Sequence, residues 1–141
     1  MKRFEVIEHT ADMGIKAYGK DLSELFTNAA YGMASSITDL EKVNPKDVED
    51  ISLEAENKEE LLVSWLNEII YLSASQSMLF SKFEVWEIDE RHLKAKIFGE
   101  EFDIDKHKIE TEVKAATYHR LKISNSTLPE GVLQAEIIFD I

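Results

Sequence analysis

Leu22, Leu25, Phe26, Ala29, Ala30, Met33 and Ile37 recur at intervals of three and four, the spacing of a helix with one buried face. Leu61, Leu62, Trp65, Leu66, Ile69 and Ile70 make a second stripe of the same kind. Each stripe opens on a capping signal, Asp21 with Glu24 and Asn57 with Glu60, where a short polar side chain accepts from main-chain N–H groups that have no helical partner. Outside the stripes the period falls to two. Leu93, Ala95 and Ile97 alternate with Lys94 and Lys96, and Leu133, Ala135, Ile137 and Phe139 share one phase of a final segment. Strands are therefore predicted near 3–7, 15–19, 48–55, 79–88, 93–97, 110–124 and 132–141, with the first helix stopping near Leu40, ahead of Pro45. Two helices that each need one covered face, set among half-buried strands, predict an α+β fold. We expect a two-layer sandwich with two main helices on a largely antiparallel or mixed sheet. At 141 residues the expectation is one domain, 1–141, large enough to bury roughly 70% of its unfolded surface.

Charge narrows the partners. With 16 basic and 28 acidic side chains the formal charge is -12. Tight nucleic-acid binding depends on Lys and Arg neutralising phosphates, so no direct grip on nucleic acid is expected. A basic protein surface or a cation complements such a chain better. The absence of cysteine excludes disulfides, thiolate zinc sites and thiol catalysis. No apolar run approaches membrane length and no signal-peptide pattern opens the chain, so no membrane partner and a cytoplasmic location are expected. No Gly-x-x-x-x-Gly-Lys-Ser/Thr loop, dinucleotide glycine spacing or Gly-x-Ser-x-Gly elbow occurs, which leaves little basis for an enzyme with its own nucleotide site.

Several residues have an ordinary structural role as their simplest reading. Trp65 and Trp86 read as core or half-buried packing, Met33 as core, and His92 and His107 as exposed loop residues. Asp12, at the exit of the first strand, reads locally as a turn former. Gly14 beside it is expected to take backbone angles that other residues avoid. Asp140 reads locally as a solvated strand end. The sharper alternative brings Asp12, Asp140 and the carboxylate of Ile141 together. Hard oxygen donors of that kind suit calcium or magnesium far better than zinc or copper.

The segment Glu8-His9-Thr10-Ala11-Asp12-x-Gly14 resembles the opening signature of the archease family. Ile37-Thr38-Asp39-Leu40, Trp65-Leu66-Asn67-Glu68, the run Thr111 to His119 and the ending Asp140-Ile141 match it as well, in order and across nearly the whole chain. The resemblance implies an accessory activator of the RtcB-type tRNA-splicing RNA ligase. Such a protein promotes the ligase's guanylylation, supports its multiple turnover and broadens its nucleotide use, without being an enzyme itself. Carried over to this sequence, the family's metal-binding positions fall on Asp12, Asp140 and Ile141, with calcium favoured and magnesium the alternative. Met13 stands where a small apolar residue is more usual, a change expected to affect packing more than ligation.

His9 and His119 flank signature blocks and are expected in supporting roles, orienting a carboxylate or donating a hydrogen bond. Lys114 shares a phase with Glu112 in the expected strand 111–117. As a plain surface pair the two would contribute about 0.2–1 kcal/mol. Lys114's place in the matching run adds a second role, offsetting the anionic cluster or contacting a partner. Two other functions compete. One is a chaperone-like binding module for RNA-processing enzymes. The other is a stand-alone metal-dependent hydrolase in which Asp12 and Asp140 hold the ion and His9 acts as base.

Overall fold

The computed structural model describes residues 2–8, 12–127 and 130–141. In chain order its elements are β1 (Phe4–Glu8), β2 (Met13–Gly19), α1 (Leu22–Ile37), β3 (Asp47–Glu54), α2 (Lys58–Gln76), β4 (Met78–Ile88), β5 (His92–Glu101), β6 (Ala115–Ala116), β7 (Ser124–Thr127) and β8 (Glu130–Asp140). A short 3-10 turn, Leu40–Lys42, follows α1. The fold is α+β, two helices on antiparallel sheets, as the residue pattern predicts. The strands divide between two sheets. One is ordered β1-β2-β8-β6 with β7 also on β8, and the other β3-β5-β4.

Both helices begin where the caps predict. Asp21 accepts from the Glu24 N–H at 2.9 Å, and the Glu24 carboxylate reaches back to the Lys20 N–H at 3.1 Å. Asn57 accepts from the Glu60 N–H at 2.9 Å. α2 ends at Ser77, whose φ of 53° places it in the left-handed region that breaks the helical ladder. α1 packs on both β2 and β4 and so joins the two sheets, while α2 lies against α1, β4 and β6.

Trp65 on α2 is fully buried, and its indole N–H donates to the Phe26 carbonyl of α1 at 2.9 Å. Its ring meets Phe83 of β4 edge-on at 6.4 Å. Phe26, Met33, Leu61, Ile97, Ile137 and Phe139 are likewise closed to solvent, and each such side chain contributes about 1.5–3 kcal/mol through burial. No helix among the described residues is long and apolar enough to cross a membrane.

Four expectations need correction. The long strand near 110–124 is reduced to Ala115–Ala116 and Ser124–Thr127, so Glu112 and Lys114 do not share a pleat. Their alternation is broken as well, since Val113 and Ala116 are both buried. Trp86 is 59% exposed, because it shares its phase with the exposed Lys82 and Glu84 on β4. His107 is buried, for reasons given below. Gly14 is an ordinary strand residue paired with Ile138. Its missing side chain makes room for neighbours, since a Cβ there would meet Ile138 Cδ1 at 3.0 Å and the Ile137 carbonyl oxygen at 3.3 Å.

Candidate functional site

The β2–β8 ladder ends with Met13 paired to Phe139. Asp12 directly precedes Met13 and Asp140 directly follows Phe139, so the two aspartates adjoin at the same end of neighbouring strands, which in a ladder lie about 4.7–4.9 Å apart. On the other edge of β8, Ala115 of β6 pairs with Asp140. The Lys114 N–H donates to the Asp140 carbonyl at 2.8 Å, and the Thr117 N–H and hydroxyl both donate to the Ile138 carbonyl at 2.9 Å. The end of β8 is thus held from both sides, with Asp12 on one and Lys114 on the other.

Asp12 and Ile141 line one cleft of about 500 Å³, together with Val6, Met13, Ser35, Ser36 and Thr111. One carboxylate oxygen of Asp12 is closed to solvent. Asp140 is exposed and lies outside the lining of that cleft. Lys114 has an exposed side chain. His119 is also exposed, on a turn where its N–H donates to the Thr117 hydroxyl at 3.3 Å. His9 lies outside the described residues.

Among the described residues no three His, Asp or Glu side chains converge as a metal-holding group. The donors that the register places at neighbouring strand ends belong to Asp12 and Asp140, with Ile141 next in the chain and lining the cleft beside Asp12. They are oxygen donors throughout, a set that fits a hard divalent cation and gives no foothold to a soft one.

One positioning role was not expected, that of Asn67 in the matching block Trp65-Leu66-Asn67-Glu68. Asn67 of α2 donates to the Ala116 carbonyl at 3.1 Å and accepts from the Ala116 N–H at 2.8 Å. It therefore helps to fix β6, the short strand that directly follows Lys114, beside β8. The available signal was a carboxamide on the helix that carries Trp65 and Leu66.

A second polar cluster also went unforeseen. His107 Nε2 lies 2.9 Å from the Glu100 carboxylate and 3.0 Å from the Lys42 carbonyl, while its Nδ1 accepts from the Asp103 N–H at 3.0 Å. With Nδ1 accepting and both Nε2 neighbours able only to accept, the ring proton sits on Nε2. Glu100 also takes a hydrogen bond from Lys106 at 2.6 Å and one from the Asn44 N–H at 2.9 Å. The Lys106 ammonium, followed by the Asn44 N–H, lowers the Glu100 pKa to about 2 against the opposing effect of burial.

Residues 4–141 match the family model described as "Archease protein family (MTH1598/TM1083)". The chain is 46% identical over 127 residues to the protein archease of Sulfurisphaera tokodaii, an alignment covering 89% of this chain and 91% of the relative. It is 40% identical over 145 residues to the protein archease of Pyrococcus abyssi, covering 100% of both. Among solved structures, the solution structure of Methanobacterium thermoautotrophicum protein 1598 superposes with a TM-score of 0.86 at 36% identity, covering 100% of each chain. A crystal structure from Thermotoga maritima, described as "an archease, possible chaperone", gives a TM-score of 0.60 at 25% identity, covering 96% of this chain and 94% of that one.

Proposed function

The chain belongs to the archease family, and on that premise we propose that it is a non-catalytic activator of an RtcB-type tRNA-splicing RNA ligase in the cytoplasm. Its task is to promote guanylylation of the ligase, return it to a competent state between turnovers and widen its nucleotide use. One observation supports the reading above the others: Asp12 and Asp140 adjoin across the β2–β8 register, with Ile141 beside them. These are the positions that the family resemblance assigns to a metal.

Asp12, Asp140 and the Ile141 carboxylate hold a divalent cation, calcium in preference to magnesium. When bound, that ion supplies positive charge against the surrounding carboxylates. Asp12 keeps one oxygen away from water, and Asp140 presents its carboxylate at the surface. Lys114, exposed and bonded through its main-chain N–H to Asp140, meets a phosphate or carboxylate of the ligase. The activator works by binding the guanylylation-competent conformer of the ligase more tightly than the other, since a partner shifts an equilibrium only by its difference in affinity.

The test is guanylylation of a purified RtcB-type ligase with a small fraction of this protein present. Wild type accelerates it, and Asp12→Ala, Asp140→Ala and Lys114→Ala do so less or not at all. Equal rates with and without the wild-type protein would sink the reading.

A second reading, a chaperone-like module for RNA-processing enzymes, draws on the description of the Thermotoga maritima relative. Stoichiometry separates the two. A chaperone protects many clients at equimolar amounts, whereas the activator serves one ligase substoichiometrically.

A further inference from the structure

From β5 to β6 the chain runs through residues 102–114 without sheet pairing, yet the first part of this loop is pinned at many points. The Phe102 N–H donates to the Ser77 carbonyl at 2.8 Å, and the Lys106 and His107 N–H groups donate to the Asp103 carbonyl at 3.0 and 2.7 Å. The buried His107 ring ties the loop to Glu100 and to the turn after α1. Farther on, the Thr38 hydroxyl donates to the Lys108 carbonyl at 2.7 Å, and the Glu110 N–H donates to the Ile37 carbonyl at 2.7 Å.

A backbone held this way leaves part of its apolar surface outside, although the Phe102 ring stacks on His107 at 6.0 Å. Ile104 is 81% exposed, the most open of the large apolar side chains among the described residues, and Ile109 and Phe102 are 41% and 37% exposed. Isolated exposed apolar residues are ordinary. Here they fall within one short, pre-organised loop, and such rigidity lowers the entropic cost of binding. The same loop continues through Thr111, which lines the cleft shared by Asp12 and Ile141.

Charge selects the occupant. Along this stretch the exposed Glu101, Asp103, Asp105 and Glu110 outnumber the one exposed cation not drawn onto Glu100, Lys108, since Lys106 pairs with Glu100. A second copy of a chain with net charge -12 would meet like charge, and so would a phosphate-rich surface. We propose that residues 102–110 form a docking element that seats Ile104 in an apolar pocket rimmed by Lys or Arg on the ligase. This rests on the activator reading above and adds to it where the partner is gripped.

The experiment titrates wild type, Ile104→Asp, Ile104→Leu and the doubly reversed Glu101→Lys/Asp105→Lys against a purified RtcB-type ligase. It measures both the dissociation constant and the rate of guanylylation. Because Ile104 is so open, its variants keep the wild-type melting temperature. Ile104→Asp raises the dissociation constant about tenfold or more, the cost of losing a central anchor, while saturating protein still reaches the wild-type rate. Ile104→Leu stays within about twofold of wild type. The charge-reversed variant slows association and flattens its salt dependence. Unchanged affinity in Ile104→Asp, with wild type active, overturns the docking proposal alone. Wild type that binds through Ile104 without accelerating guanylylation overturns the activator reading alone. Concentration-dependent dimerisation that Ile104→Asp abolishes assigns the loop to self-association and overturns the proposal.

Discussion

Asn67 spends both halves of its carboxamide on the main chain of one residue, Ala116, accepting its N–H at 2.8 Å and donating to its carbonyl at 3.1 Å. The neighbouring N–H groups of Lys114 and Thr117 point the other way, to Asp140 and Ile138 of β8. The helix therefore stands in for a missing strand, and the segment bearing Lys114 is clamped between α2 and the end of β8. Asn67→Ala leaves two partly buried main-chain groups without partners, at a cost of about 1–3 kcal/mol. The expected result is a lower urea midpoint with an unchanged slope, accompanied by weaker ligase activation. An unaltered midpoint would show that water replaces the carboxamide freely.

That clamp also explains where the residue pattern was readable and where it failed. The helix starts at Asp21 and Asn57, and the hairpin of β4 and β5, rest on partners close in sequence and were legible. Residues 110–124 have the β-branched and alternating character of a strand. Their main chain, however, is satisfied in part by distant side chains, as when the Ile123 N–H donates to the Glu59 carboxylate at 3.0 Å. Nothing local announces such partners. His107 sits among charged neighbours and looked solvated, and its burial comes from Glu100, Lys42 and Asp103 meeting around the ring. Trp86 stands with the exposed Lys82 and Glu84 on β4, beside the register shift between Val85 and Glu87, and a lone aromatic in a strand pattern does not say which face is covered. Of the candidate site, the approach of Asp12 to Asp140 was foreseeable from strand ends and a family-like motif. The clamp by Asn67 was not.

Carboxylates gathered around one site repel one another, so a cation that binds Asp12 and Asp140 in the folded chain would raise stability by mass action. Millimolar calcium is expected to raise the melting temperature of the wild-type protein and a chelator to lower it. At a hundredfold excess over the dissociation constant the gain is about 2.7 kcal/mol. Asp12→Ala and Asp140→Ala remove the calcium response. Identical melting curves with calcium and with chelator would count against the site.

Ile141 lines the same cleft as Asp12, and the ligand role proposed for it requires a free main-chain carboxylate. A short glycine-serine extension after Ile141 turns that group into an amide and leaves Asp12 and Asp140 in place. The calcium-induced shift in melting temperature is expected to shrink, and activation of the ligase to fall with it. An equal extension before Met1 serves as the control. If the extended protein responds to calcium as wild type does, Ile141 is not a ligand.

Glu100 carries the acid sensitivity of the loop that follows β5. Its pKa is held at about 2, below the ordinary value of 4.5, first by the Lys106 ammonium and then by the Asn44 N–H. A carboxyl group whose pKa is lower in the folded chain than in the unfolded one binds fewer protons when folded, so it favours the folded state wherever it is ionised. Its contribution is complete above pH 4.5 and disappears as the pH falls from there toward 2. Glu100→Gln keeps an acceptor near His107 but removes the charge that faces Lys106. The variant is expected to melt lower than wild type at neutral pH, with the gap closing as the pH is lowered through that window. The difference between the two curves reports the part of the acid response that depends on Glu100. A gap that stays constant from neutral pH to pH 2 would mean that the substitution acts through packing, with the Lys106 pair contributing nothing.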